Sequence, residues 1–112
     1  MKLHYAVERL LETSWQADDQ ANCETLESGQ KFPSVLEVQR AFAQAGLELS
    51  IKHNMMFSCY RATWAPAGEA LDPSHDADER HGTVIGACER EAAVYALAQL
   101  RTAQLEHQLA AV

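Results

Sequence analysis

The chain has no apolar run approaching the roughly 20 residues that a membrane-spanning helix needs. Its opening, MKLHYAVERLLE, sets charges inside the apolar positions, so no secretion signal is expected. Cations are scarce: 9 Lys and Arg stand against 16 Asp and Glu, for a formal charge of −7. They are spread thinly from Lys2 to Arg101 with no cluster. A free nucleic-acid-binding domain needs cations for phosphate contacts, so direct nucleic-acid binding is not expected. Cysteine is limited to Cys23, Cys59 and Cys88. The number is odd, the spacings are wide, and no C-x-x-C occurs. That argues against a disulfide framework and for reduced thiols in a cytoplasmic setting. Cys59, placed in a strand, and Cys88, placed in a helix, read as small buried apolar groups.

Catalytic signatures are missing too. There is no P-loop, no G-x-G-x-x-G and no serine in a G-x-S-x-G setting. The G-x-x-x-G formed by Gly82 and Gly86 is too weak a signal to count. Five histidines (His4, His53, His75, His81, His107) and three thiols are present, but nothing in the sequence places a Cys/His pair together. No enzyme and no cofactor is expected from these patterns. No internal repeat appears, and compositional bias is limited to mild alanine enrichment near the C-terminus.

What is present is a globular composition. At 112 residues and 47% hydrophobic content, residues 1–112 form one domain with a core of modest size. Residues 47–64, LELSIKHNMMFSCYRATW, organise it. Leu47, Leu49 and Ile51 alternate with Glu48, Ser50 and Lys52, which is the period of a half-buried strand. His53 and Asn54 mark a turn, since Asn tolerates the left-handed backbone that tight turns require. Residues 55–64 are rich in strand-favouring residues but alternate poorly. The second strand is therefore covered on both faces, or bulged, or paired with something beyond this chain. Two strands alone are marginal in water and need further support.

Helical sequence lies on both sides. Leu3, Val7, Leu10 and Leu11 predict an amphipathic helix over residues 2–16. Residues 19–32 read either as a helix capped by Gly29 or as a short strand leading to Phe32. Ser34 and Glu37 form a capping box that opens a helix over 34–45, and Gly46 stops it. After Trp64 comes an acidic loop of roughly 18 residues, with a short edge strand near 69–71. Thr83 caps a last helix over about 84–108, whose apolar surface is broad enough to be buried on several sides, part of it against a second subunit in a homodimer. The fold class is α+β: a short antiparallel sheet packed by two N-terminal helices and one long C-terminal helix.

The acidic loop 69–81 holds the strongest candidates for chemistry. His75, Asp76 and His81 have metal-ligand side chains, which defines the alternative of a small metal-dependent or Cys/His enzyme. Their spacing fits no defined motif, and the loop lacks the central glycine of an EF-hand, so a solvated loop is favoured. Tyr60, Arg61, Trp64 and Lys52 have the side chains of a base-stacking surface, although Tyr60 and Trp64 read better as core. The preferred expectation is protein recognition. Glu69, Asp72, Asp76, Asp78 and Glu79, with Tyr60 and Trp64, would meet a partner with a basic surface by charge complementarity.

The order helix, helix, strand, strand, acidic loop, helix resembles the small α–β–α sandwich proteins encoded by phages and prophages. The resemblance is carried by the strand pair ending in YRATW, the loop after it, and the segment HGTVIGACEREAAVYALAQL. That segment is also similar to the late helix of phage single-strand annealing proteins, where a small-residue opening precedes an arginine–tyrosine–alanine–leucine run. Here Arg90 is followed, after four residues, by Tyr95-Ala96-Leu97. The spacing departs from that pattern and the chain is shorter than that fold, so no functional residue is carried over. A phage setting implies an accessory or host-inhibiting role in the host cytoplasm, such as inhibition of a nucleic-acid-handling defence complex.

Overall fold

The structure, a computed structural model, describes residues 2–17, 23–66 and 81–110. The element order is α1 (Lys2–Leu11), β1 (Cys23–Thr25), β2 (Lys31–Pro33), α2 (Val35–Gln44), β3 (Leu47–Asn54), β4 (Cys59–Pro66), β5 (Gly82–Gly86) and α3 (Glu89–Ala110). The α+β class holds. Among the described residues, three helices pack with a three-stranded antiparallel sheet in the order β3-β4-β5, and β1 and β2 form a separate two-stranded ribbon. The edge strand expected near 69–71 lies outside the described residues.

Helix α1 buries Ala6, Val7 and Leu10, the inward stripe of its 3.6-residue period. It ends at Leu11, five residues before the expected end. Ser14 takes the left-handed conformation at φ 65°, and its N–H donates to the Leu11 carbonyl at 3.0 Å. The Thr13 hydroxyl turns back onto the Leu10 carbonyl at 2.6 Å. From α3, Arg101 then donates to the Thr13 hydroxyl at 2.9 Å and to the Thr13 carbonyl at 3.0 Å. A cation there satisfies carbonyls left over at the helix end and suits its negative dipole end.

Of the open choice in residues 19–32, the described part, residues 23–32, takes the strand alternative, and residues 19–22 lie outside the described residues. Cys23, Glu24 and Thr25 pair with Pro33, Phe32 and Lys31, and Gly29 makes the turn at φ 92°. Phe32 is buried, and Glu24 reaches Arg90 of α3 at 3.1 Å. Helix α2 matches its local signals. Ser34 accepts from the Glu37 N–H at 3.2 Å, Val38 and Phe42 are buried, and Gly46 closes the end at φ 78°.

In the sheet, Leu47 to Asn54 pair without interruption with Pro66 to Cys59. The second strand is thus shorter than expected, because residues 55–58 form the turn, and it is not bulged. The missing support comes from this chain: β5 pairs with β4 on its other edge. Leu49, Ala62 and Trp64 face the helices, and the Trp64 ring lies 5.4 Å from that of Phe42.

Strand β5 corrects the expected last helix. Thr83 does not cap a helix opening at 84; Thr83, Val84 and Ile85 are in a strand, and α3 begins at Glu89. The two glycines explain the placement. A Cβ at Gly82 would lie 2.2 Å from the Trp64 ring, and one at Gly86 would lie 2.6 Å from the Ala92 nitrogen. Both are positions of close approach where only hydrogen fits. Helix α3 then buries Ala92, Ala93, Val94, Ala96, Leu97, Ala98 and Leu100 against α1, α2 and the sheet. Its broad apolar surface is used within the chain as far as Leu100.

Candidate interaction surface

The β3–β4 hairpin becomes more exposed toward its turn. Leu47 and Leu49 are buried, Ile51 is half-buried, and Lys52 and His53 are exposed. The turn itself carries Met55, Met56 and Phe57, which are 83%, 87% and 73% exposed. Three consecutive large apolar side chains in water are unfavourable unless something covers them in use. The backbone beneath them is fixed. The Asn54 side-chain oxygen accepts from the Met56 N–H at 3.0 Å and from the Phe57 N–H at 3.4 Å. Ser58 takes φ 49°, a left-handed conformation unusual for a residue with a Cβ. This is a four-residue loop held by an Asx interaction at one side and a strained residue at the other.

Below the turn the two faces of the hairpin differ. Alternation puts Lys52 and Arg61, which are register partners, on the side away from the helices. Ile85, the β5 partner of Arg61, is 59% exposed beside them. Thr63 and Thr83 share that side, their hydroxyls 3.3 Å apart. Toward the opposite end of this face Ala65 is buried. On the helix side, His53 stacks on Tyr60 with ring centroids 4.6 Å apart.

The sequence-derived candidates are distributed as follows. Glu69, Asp72, His75, Asp76, Asp78 and Glu79 lie outside the described residues. His81 is half-buried just before β5. Among the described residues no group of three His, Cys, Asp or Glu side chains is placed to hold a metal ion. Trp64 is 2% exposed and committed to the core, so its ring is not offered to a partner. Tyr60 is half-buried on the same inward side. The base-stacking surface is divided: Lys52 and Arg61 face away from the helices, Tyr60 and Trp64 toward them. None of the three cysteines is in a disulfide; Cys59 and Cys88 are half-buried, less enclosed than expected, and Cys88 precedes α3 rather than lying in it.

A second feature is a cavity of about 350 Å³ between α1 and α3, lined by Tyr5, Glu8, Arg9, Glu12 and Tyr95 among others. It holds neither a thiol nor an imidazole. The nearby His4 is bonded to Glu8 at 2.9 Å and stacked on Tyr5.

No family model, curated protein or solved structure matches this chain. The hairpin turn had no signal in the sequence as a site, because Met-Met-Phe reads as the start of a buried strand. No helix among the described residues is long and apolar enough to cross a membrane.

Proposed function

We propose that this chain is a non-catalytic binding protein that docks onto a partner protein through the turn of the β3–β4 hairpin. One observation carries this reading: Met55, Met56 and Phe57 project together into solvent from a turn pinned by Asn54. Burying each such side chain is worth roughly 1.5–3 kcal/mol in a well-fitted pocket. A turn already held in one conformation loses little entropy on docking. Methionine adds adaptable packing and Phe57 an aromatic anchor.

The test is affinity capture from lysate with the wild-type chain and the variant M55S/M56S/F57S. A protein retained by the first and lost by the second, with both chains equally folded by circular dichroism, supports the reading. Equal retention overturns it.

A second reading has its own observation. Residues 67–80 hold five carboxylates and one arginine, and residues 18–22 add two aspartates, whereas the rest of the chain carries nine carboxylates against eight Lys and Arg. The acidity is thus concentrated mainly in one connector, as a contact with a basic protein surface requires. Converting Glu69, Asp72, Asp76, Asp78 and Glu79 to their amides separates the two: capture lost here but kept in M55S/M56S/F57S favours the connector. In a phage setting either contact makes an inhibitor by occupying a surface.

A further inference from the structure

We infer that the pocket receiving the hairpin turn belongs to a protein and is edged with carboxylates. This rests on the docking reading above and adds the chemistry of the rim. Lys52 lies three residues before Met55, and Arg61 four residues after Phe57. They are direct cross-strand partners on one side of the hairpin. Like charges placed opposite each other are unfavourable in a free sheet. Arg40 pairs with Glu37, Arg90 with Glu24, and Arg101 bonds Thr13, but neither Lys52 nor Arg61 has a carboxylate partner among the described residues. Glu48, the carboxylate on the same side of β3, is four residues away, or about 13 Å at strand spacing.

When the turn is buried, this pair comes to the edge of the interface and loses part of its water. Losing water without an opposing charge is costly, so a fitting partner supplies anions there. Ile85, exposed next to Arg61, widens the shoulder and gives the partner apolar surface to cover. Three kinds of anion meet the charge requirement, and two fit the rest poorly. Single-stranded nucleic acid would need a row of rings beside the cations, yet Tyr60 and Trp64 lie on the other face and Phe57 is left as a single exposed ring at the turn. Anionic bilayers and nucleic acids also exert an extended negative field, which repels a chain of charge −7. Carboxylates at the lip of an apolar pocket act only at close range.

The experiment compares the full-length wild type, M55S/M56S/F57S, K52E/R61E and K52Q/R61Q for binding to the captured protein at low and high salt. Charge reversal is expected to weaken binding at least about 10-fold at low salt and only about 3-fold or less at high salt, as rim charges do. The K52Q/R61Q chain, which avoids introducing new carboxylates, is expected to fall between wild type and reversal. The M55S/M56S/F57S chain loses binding at both salts. If K52E/R61E and K52Q/R61Q bind like wild type while M55S/M56S/F57S fails, the docking turn stands and the acidic rim is overturned. If M55S/M56S/F57S binds like wild type, or no protein is captured by wild type, both fall. Vesicles of phosphatidylcholine and phosphatidylserine and a thymidine oligonucleotide serve as direct probes. Wild-type binding to either, lost in K52E/R61E, overturns the protein assignment.

Discussion

The two ends of the β3–β4 hairpin carry the same backbone pairing and opposite side-chain environments. At the end where Leu47 meets Pro66 and Leu49 meets Trp64, inward side chains are buried under α2 and α3. At the end where Asn54 meets Cys59, the turn holds three apolar side chains in water. Hydrogen bonding is continuous along the pair, so the ladder does not account for the difference. Packing does. The helices and β5 cover the hairpin to about Ile51 and Tyr60, and beyond them it is an arm. One end fixes the fold, and the other is free to be selected for contact.

Truncating an apolar side chain at each end tests this difference between the two ends most strongly. Trp64→Ala removes a core ring packed on Phe42 and is expected to cost about 3–5 kcal/mol. The M55S/M56S/F57S chain, changed at three sites, is expected to stay within about 0.5 kcal/mol of wild type. Urea denaturation of both decides the matter. A comparable loss from the turn variant would mean that the tip is packed in solution.

Gly82→Ala probes the core end from the other side. Its new methyl would meet the Trp64 ring, and overpacking of this kind costs about 1–3 kcal/mol. The cost belongs to the pair. In a Trp64→Leu background the same substitution is expected to be milder by about 1 kcal/mol, as contacting residues couple. Equal costs in both backgrounds would show that the glycine is needed for its backbone alone.

Arg101→Met tests how the covered end is closed at a distance. It leaves the Thr13 carbonyl and hydroxyl without their guanidinium and is expected to cost about 1–2 kcal/mol. The loss should appear as faster amide exchange in the last turn of α1, while exchange in the β3–β4 turn is unchanged.

What the sequence disclosed follows the same division. Helix α2 was legible because Ser34, Glu37 and Gly46 act on their own neighbours. Strand β3 was legible from the alternation of Leu47, Leu49 and Ile51. The end of α1 was not, because it is held by Arg101, 88 residues after the Thr13 it bonds. Strand β5 was hidden for a related reason. The need for glycine at 82 and 86 arises from Trp64 and Ala92, and the break between Thr83-Val84-Ile85 and the helical sequence is a lone glycine, Gly86, which a helical pattern tolerates. The turn was obscured by its composition. Asn54 signals a bend, but Met55, Met56 and Phe57 have the residue types of a core strand. Apolar residues used for contact are written in the same letters as those used for packing, and only exposure separates them.

The smallest effect asks whether the exposed end is held for a purpose. Ser58 at φ 49° carries a left-handed cost of about 1 kcal/mol. Ser58→Gly removes that cost but frees the unfolded chain by roughly 0.5–1 kcal/mol, so the net gain in stability is expected to be about 0.5 kcal/mol or less. Binding should move the other way. A glycine lets the turn sample more conformations, and the entropy then lost on docking is expected to weaken partner affinity about 2- to 5-fold. A chain that is as stable as wild type and binds more weakly would show that the strain at Ser58 serves presentation of Met55, Met56 and Phe57. Unchanged affinity would leave Asn54 as sufficient to hold the turn and Ser58 as a cost without a role in docking.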